Sequence, residues 1–222
     1  MLSDMEEVGY GTAYERKLLN ALLKRLVKVY GIRSILEYPA TDLLGDPRIL
    51  YEGLEILVER RRFAKTEGRK YDLVWNFCKI EKADDPIKLL TEMTKLTSKY
   101  VLLIGQNIFN LGVPLHKVYH TLRRSAWDHG IFGRMRLGYA MELAHAQGLI
   151  ILEHGYFDAP IFVLDLYETG SLLRGHFTKR TRLGDTLLKE SPFERLPRLF
   201  KSLLSHHWYL LCRVRSSAGG SG

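Results

Sequence analysis

Apolar positions change period several times along the chain, and each change marks an element. Over 13–30, Leu19, Leu22, Leu23, Leu26, Val27 and Tyr30 recur at helical spacing as one stripe. Arg16, Lys17, Lys24, Arg25 and Lys28 lie mostly off that stripe, and Gly31 suits a left-handed helix stop. Ile32 to Glu37 reads as a short strand halted by Tyr38-Pro39, with a helical segment over 47–52. Leu54 to Glu59 reads as a second strand closing on a carboxylate, and Tyr71 to Cys78 as a third, rich in aromatic and branched residues. Asp85-Pro86 opens a helix with a capping aspartate and a proline at its first position, and Leu89, Leu90, Met93 and Leu96 form its apolar face. Tyr100 to Ile104 is nearly all apolar, as expected of a parallel strand covered on both faces.

Helices are predicted over 114–123 and 138–147, and strands over 149–154 and 207–214. The pattern from 155 to 190 assigns no element, and Ser191 to Glu194 carry a capping box for a late helix that Pro197 kinks or restarts. Strand and helix thus alternate from 13 to about 153, the order of a doubly wound α/β sheet. The last strand follows a helix closely enough to run antiparallel. One domain is expected over 1–215, with SSAGGSG at 216–222 a flexible tail.

Composition narrows the class. The chain has 222 residues, 46% of them hydrophobic, enough to bury a core, and no apolar run long enough to span a membrane. The opening MLSDMEEVGYG does not resemble a secretory signal, and Cys78 and Cys212 both sit in apolar runs, so buried thiols in a reducing, cytoplasmic setting are expected. Lysine and arginine number 33 against 25 acidic residues, a net charge of +8 that favours acidic partners without choosing among phosphorylated small molecules, nucleic acid and anionic lipid.

In an open α/β sheet, ligands bind beyond the carboxyl ends of the strands where the strand order reverses. The first candidate is therefore the turn Glu37-Tyr38-Pro39-Ala40-Thr41-Asp42-Leu43-Leu44-Gly45. It has no G-x-G, proline removes one N–H, and tyrosine adds bulk. Glu59, at the end of the second strand, is placed to hold ribose hydroxyls. Arg60, Arg61 and Arg62 follow it, within a basic stretch that continues through Lys65, Arg69 and Lys70, and either grip a phosphate or are simply solvated. Asn76, Phe77 and Cys78 end the third strand, and only alternate side chains there can face one site. His116 and His120 share a helix face and His129 follows, but no H-E-x-x-H is present and no metal site is expected. His206 and His207, at a helix–strand junction, read as structural. There is no Walker loop, nucleophile elbow or Ser-His-Asp order.

The stretch YDLVWNFCKIEKADDPIKLLTEMTKLTSKYVLLIGQN resembles the fourth strand, helix and fifth strand of class I S-adenosylmethionine-dependent methyltransferases. GYGTAYERKLLNALLKRL, LIILEHGYFDAP and HHWYLLCRV are similar to the opening segment and last two strands of small archaeal-type members. The resemblance spans about residues 9 to 214 and is most specific over 71–107. It implies a Rossmann-like sheet and S-adenosylmethionine as cofactor. It matches Glu37, Tyr38, Pro39 and Ala40 to the first cofactor motif, Glu59 to the ribose-binding acid, and Asn76 and Phe77 to the strand end beside the methyl donor. Gly11 and Tyr14 match a segment that covers the cofactor.

Two departures stand out. EYPATDLLG replaces the glycine-rich turn, and too few residues separate Glu59 from Tyr71 for a helix, a strand and a second helix. The family's third strand is therefore expected to be missing. Three readings stay open: methyl transfer to a small-molecule acceptor; a silent methyltransferase-like module binding a protein partner at the shortened sheet edge; and a phosphate-ligand or nucleic-acid binder using Arg60 to Lys70. The last is the least supported, for want of any nucleic-acid motif.

Overall fold

The computed structural model describes residues 13–41, 44, 47–63, 68–124, 126–127, 129–158 and 197–215. The expected capping box at 191–194, the segment 159–190, Gly11 and the tail from 216 lie outside them. Helix α1 covers Ala13–Tyr30, followed by β1 (Ser34–Glu37), α2 (Pro47–Leu50), β2 (Leu57–Arg60), β3 (Tyr71–Phe77), α3 (Pro86–Leu96) and β4 (Thr97–Gln106). Then come α4 (Gly112–Arg123), a 3-10 turn at Phe132–Arg134, α5 (Leu137–Ala146), β5 (Ile150–Phe157), α6 (Arg198–Leu204) and β6 (His207–Arg213).

These strands form one sheet in the order β2-β1-β3-β4-β6-β5. The pairs β1–β2, β1–β3 and β3–β4 are parallel, whereas β6 runs antiparallel to both β4 and β5. The architecture is the expected doubly wound, mostly parallel one with an antiparallel final strand. Among the described residues no strand lies between β2 and β3, so β2 forms the sheet edge where a further strand was expected to be missing.

Period-two alternation sends each central strand's side chains to two cores. Leu36, Val74, Val101 and Leu103 pack with Leu90 and Met93 of α3 and Ala140 of α5. Ile35, Leu73, Trp75, Leu102 and Ile104 pack on the other face with Leu19, Leu23 and Leu26 of α1 and Leu50 of α2. Every residue of β3 is buried, including the polar Asp72 and Asn76, as expected of a central strand covered on both faces. Each fully buried leucine contributes roughly 1.5–3 kcal/mol, so the stripe on α1 is what docks that helix. A bidentate ion pair from Arg25 to Glu153 (2.5 Å) ties α1 to β5 as well, with the Tyr30 hydroxyl donating to the same carboxylate.

Element ends differ from the sequence pattern where side chains intervene. Strand β1 starts at Ser34 because the Ile32 N–H bonds back to Val27 and the Arg33 N–H donates to Asp72. The second strand begins at Leu57 rather than Leu54, since Leu54 N–H closes a turn onto Tyr51 around Gly53 (φ +68°). Asp85 does cap α3, accepting from Lys88 N–H at 2.9 Å, with Pro86 first in the helix. Pro197 is the N-cap of α6.

Gly105 of β4 faces Trp208 of β6 in register, and a Cβ at Gly105 would collide with the buried indole. Gly105→Ala is expected to destabilise by about 1–3 kcal/mol, the usual cost of overpacking. Urea unfolding of the two proteins, at equal m-values, measures it.

Candidate active site

One edge of the sheet collects the carboxyl ends of β1, β2, β3 and β4, together with the end of β5 and the start of antiparallel β6. The strand order reverses at β1, whose neighbours are β2 and β3, so helices leave to opposite faces and a crevice opens between them.

Glu37, the last residue of β1, is fully buried on the α1 side of the sheet. Its carboxylate accepts from Thr41 N–H (2.8 Å), the Tyr51 hydroxyl (2.9 Å) and Arg60 Nε (2.6 Å) and Nη2 (3.2 Å). Arg60 is the register partner of Glu37 on β2, which is why the fork lands there, and its Nη2 also donates to the Thr41 carbonyl at 2.5 Å. The rest of the turn is equally committed. Tyr38 N–H donates to Trp75 and Ala40 N–H to Arg61, both at 2.8 Å, while Pro39 has no N–H and follows a cis peptide. The Tyr38 side chain turns to the α3 face, where its hydroxyl donates to Glu92 at 2.6 Å.

Glu59 projects to that same face, one residue out of phase with Arg60. It accepts from Arg61 Nε at 2.5 Å and from the Tyr71 hydroxyl, and it stays more than one-third exposed. The hydrogen bond from Arg61, then that from Tyr71, holds its carboxyl below the usual range. Asn76 is fully buried, its Nδ2 contacting Met93 Sδ at 3.1 Å, and its Oδ1 has no hydrogen-bond partner among the described residues. Phe77 points to the other face, against the His207 ring at 4.9 Å. The structure thus brings Glu37, Pro39, Ala40 and Glu59 to neighbouring strand ends and separates Asn76 from Phe77 across the sheet. Tyr14 lies in the first turn of α1, with its side chain outside the described residues.

The other half of this edge carries no recognisable motif in the sequence. Glu81, after β3, is fully buried and accepts from Gln106 N–H at 2.9 Å. Burial pushes its carboxyl up to about 7, against the hydrogen bond from Gln106. Beside it the buried Cys78 thiol is raised well above its ordinary value by desolvation, with the Glu81 charge adding to the effect. Cys78 has φ +51°, a left-handed conformation uncommon for a residue with a side chain. Further along, Asp158 follows β5, His206 precedes β6 and His207 opens it, with Asp158 Oδ2 at 3.6 Å from His206 Nδ1 and 3.4 Å from His207 Nδ1. Burial opposes ionisation of Asp158, but the two histidines outweigh it and hold the carboxyl down at about 2. Only the His-His pair was visible in sequence, since Asp158 joins it through strand pairing.

No protein-family model matches this sequence, and no curated protein is similar to it in sequence. Among solved structures, the chain is similar to the magnesium protoporphyrin IX methyltransferase ChlM from Synechocystis PCC 6803 with bound SAH. The TM-score is 0.51 at 8% identity, over 91% of this chain and 84% of that one. A putative sarcosine dimethylglycine methyltransferase from Galdieria sulphuraria matches 89% of this chain with 85% of its own, at 12% identity and a TM-score of 0.49. The first likeness establishes the fold as that of the class I methyltransferases.

Two outcomes follow from the buried carboxylates. Arg60→Ala leaves Glu37 buried without its cation and is expected to cost about 3 kcal/mol in denaturant unfolding. Adding Glu37→Gln should recover part of that loss. Glu81 has a folded pKa of about 7 against an ordinary 4.5, so the folded state holds the extra proton between those values. Stability should therefore fall as pH rises through that window, by on the order of 3 kcal/mol in all. Glu81→Gln should flatten this dependence and be the more stable protein at pH 8.

Proposed function

We propose that the chain is an S-adenosylmethionine-dependent methyltransferase-like protein acting on a small-molecule acceptor, with the donor held across the ends of β1, β2 and β3. The observation that carries this reading is the placing of Glu37 and Glu59 at adjacent strand ends beside the point where the strand order reverses. Glu59 fits hydroxyl ligands. Its carboxylate is ionised and accessible, and each oxygen uses one lone pair on Arg61 or Tyr71 and keeps another for a ribose hydroxyl. Bound S-adenosylmethionine would supply an electrophilic methyl group on sulfur. The chain's part is then to position the acceptor, since in-line transfer rests mainly on orientation.

A second reading, a silent module of the same fold, draws on the first turn. No N–H of residues 38–41 remains for a ligand, and the Glu37 carboxylate is occupied by Arg60, Tyr51 and Thr41. In that case the exposed β2 edge is the surface for a protein partner. A phosphate or nucleic-acid role draws less support, because Arg60 and Arg61 turn inward to Glu37 and Glu59.

Isothermal titration with S-adenosylmethionine and S-adenosylhomocysteine separates the first two. Micromolar binding, weakened about tenfold or more by Glu59→Ala through loss of charge-assisted hydrogen bonds, is the outcome expected of a donor site. Absence of heat at millimolar ligand would move the assignment to the silent module. Hydrogen exchange over 54–75 would then be slowed by a partner.

A further inference from the structure

We propose that Asp158, His206 and His207 form a binding site for a divalent transition-metal ion of the zinc class, at the end of the sheet edge away from the first turn. The inference stands independently of methyl transfer. Each of the three residues offers a ligand atom, and all three atoms lie within 4.8 Å of one another. The separations from Asp158 Oδ2 to the two Nδ1 atoms are 3.4 and 3.6 Å. They match the edge of a tetrahedron of ligands about an ion, which is about 3.4 Å for metal–ligand bonds of about 2.1 Å.

The surroundings suit a metal ligand set. The His207 ring lies between Phe77 (4.9 Å) and Phe157 (5.6 Å, stacked), which fixes its plane and limits water. Its far nitrogen, Nε2, faces the buried Glu15 Oε1 at 3.5 Å. A carboxylate behind a ligating imidazole is the usual arrangement that orients it and raises its basicity. The backbone is held too: His206 N–H donates to the Asp158 carbonyl at 2.6 Å, and Asp158 takes the left-handed conformation (φ +58°). Two imidazoles and one carboxylate select zinc, cobalt, iron or nickel over calcium and magnesium, which prefer all-oxygen shells. Three protein ligands leave coordination positions for water or a substrate oxygen.

Cobalt(II) reports the site directly through its visible ligand-field absorption. Protein stripped with EDTA and titrated with cobalt(II) should develop this absorption to saturation at one equivalent per chain, and zinc(II) should displace it. His206→Ala, at the more exposed of the two histidines, and Asp158→Asn should each abolish the absorption, with the His206→Ala fold checked by circular dichroism. His120→Ala serves as control, because His120 and His129 form a separate pair with Nε2 atoms 3.2 Å apart; it should leave the absorption unchanged. No absorption in the parent protein would overturn the proposal. So would absorption that survives both His206→Ala and Asp158→Asn, or that disappears in His120→Ala.

Discussion

Strand β6 enters the sheet between β4 and β5, antiparallel to both, and most of the molecule's arrangement depends on that insertion. Its backbone bonds pair Tyr100 through Gln106 with Arg213 through His207 on one side, and Ile150 through Phe157 with the same residues on the other. A strand hydrogen-bonded on both edges and buried on both faces tolerates few polar side chains, and Trp208, Leu210, Leu211 and Cys212 meet that demand. Trp208 also sets its neighbour: Gly105 has no side chain because the indole occupies the space. Since β6 runs backwards, its first residues rather than its last lie at the ligand edge, which carries His206 and His207 to the end of β5 and to Asp158.

The same edge holds two polar assemblies of opposite design. At β1 and β2 a buried carboxylate is matched by a guanidinium, the Tyr51 hydroxyl and the Thr41 N–H, so that charge, donors and acceptors cancel internally. Such an arrangement rigidifies the turn, and removing either partner costs far more than the pair itself contributes. At β5 and β6 the Asp158 carboxylate lies 3.4 and 3.6 Å from two imidazole nitrogens.

Between them sits a buried region dominated by desolvation. Glu81 and Cys78 are both driven toward their neutral forms by desolvation, and Gln106 N–H is the backbone donor that offsets this for Glu81. The centre of the edge thus prefers protons at neutral pH, while Asp158 on one side and Glu59 on the other are held ionised.

Period and punctuation in the sequence determined a great deal. The stripe on α1, the Asp85-Pro86 helix start, the aromatic and branched residues of β3, the apolar run of β4 and the short spacing from Glu59 to Tyr71 specified an α/β sheet lacking one strand. These are local signals, carried by residues three or four apart or by alternation within one strand. The site was legible only as a place. Glu37 and Glu59 were recognisable as carboxylates at strand ends, but side-chain alternation across paired strands decides which neighbour each one meets. That is a matter of register, so only the tertiary structure turned Arg60 onto Glu37 and Arg61 onto Glu59. It alone also brought Asp158 to two histidines 48 and 49 positions later, because an antiparallel pairing joins residues by hydrogen-bond register and not by their distance along the chain.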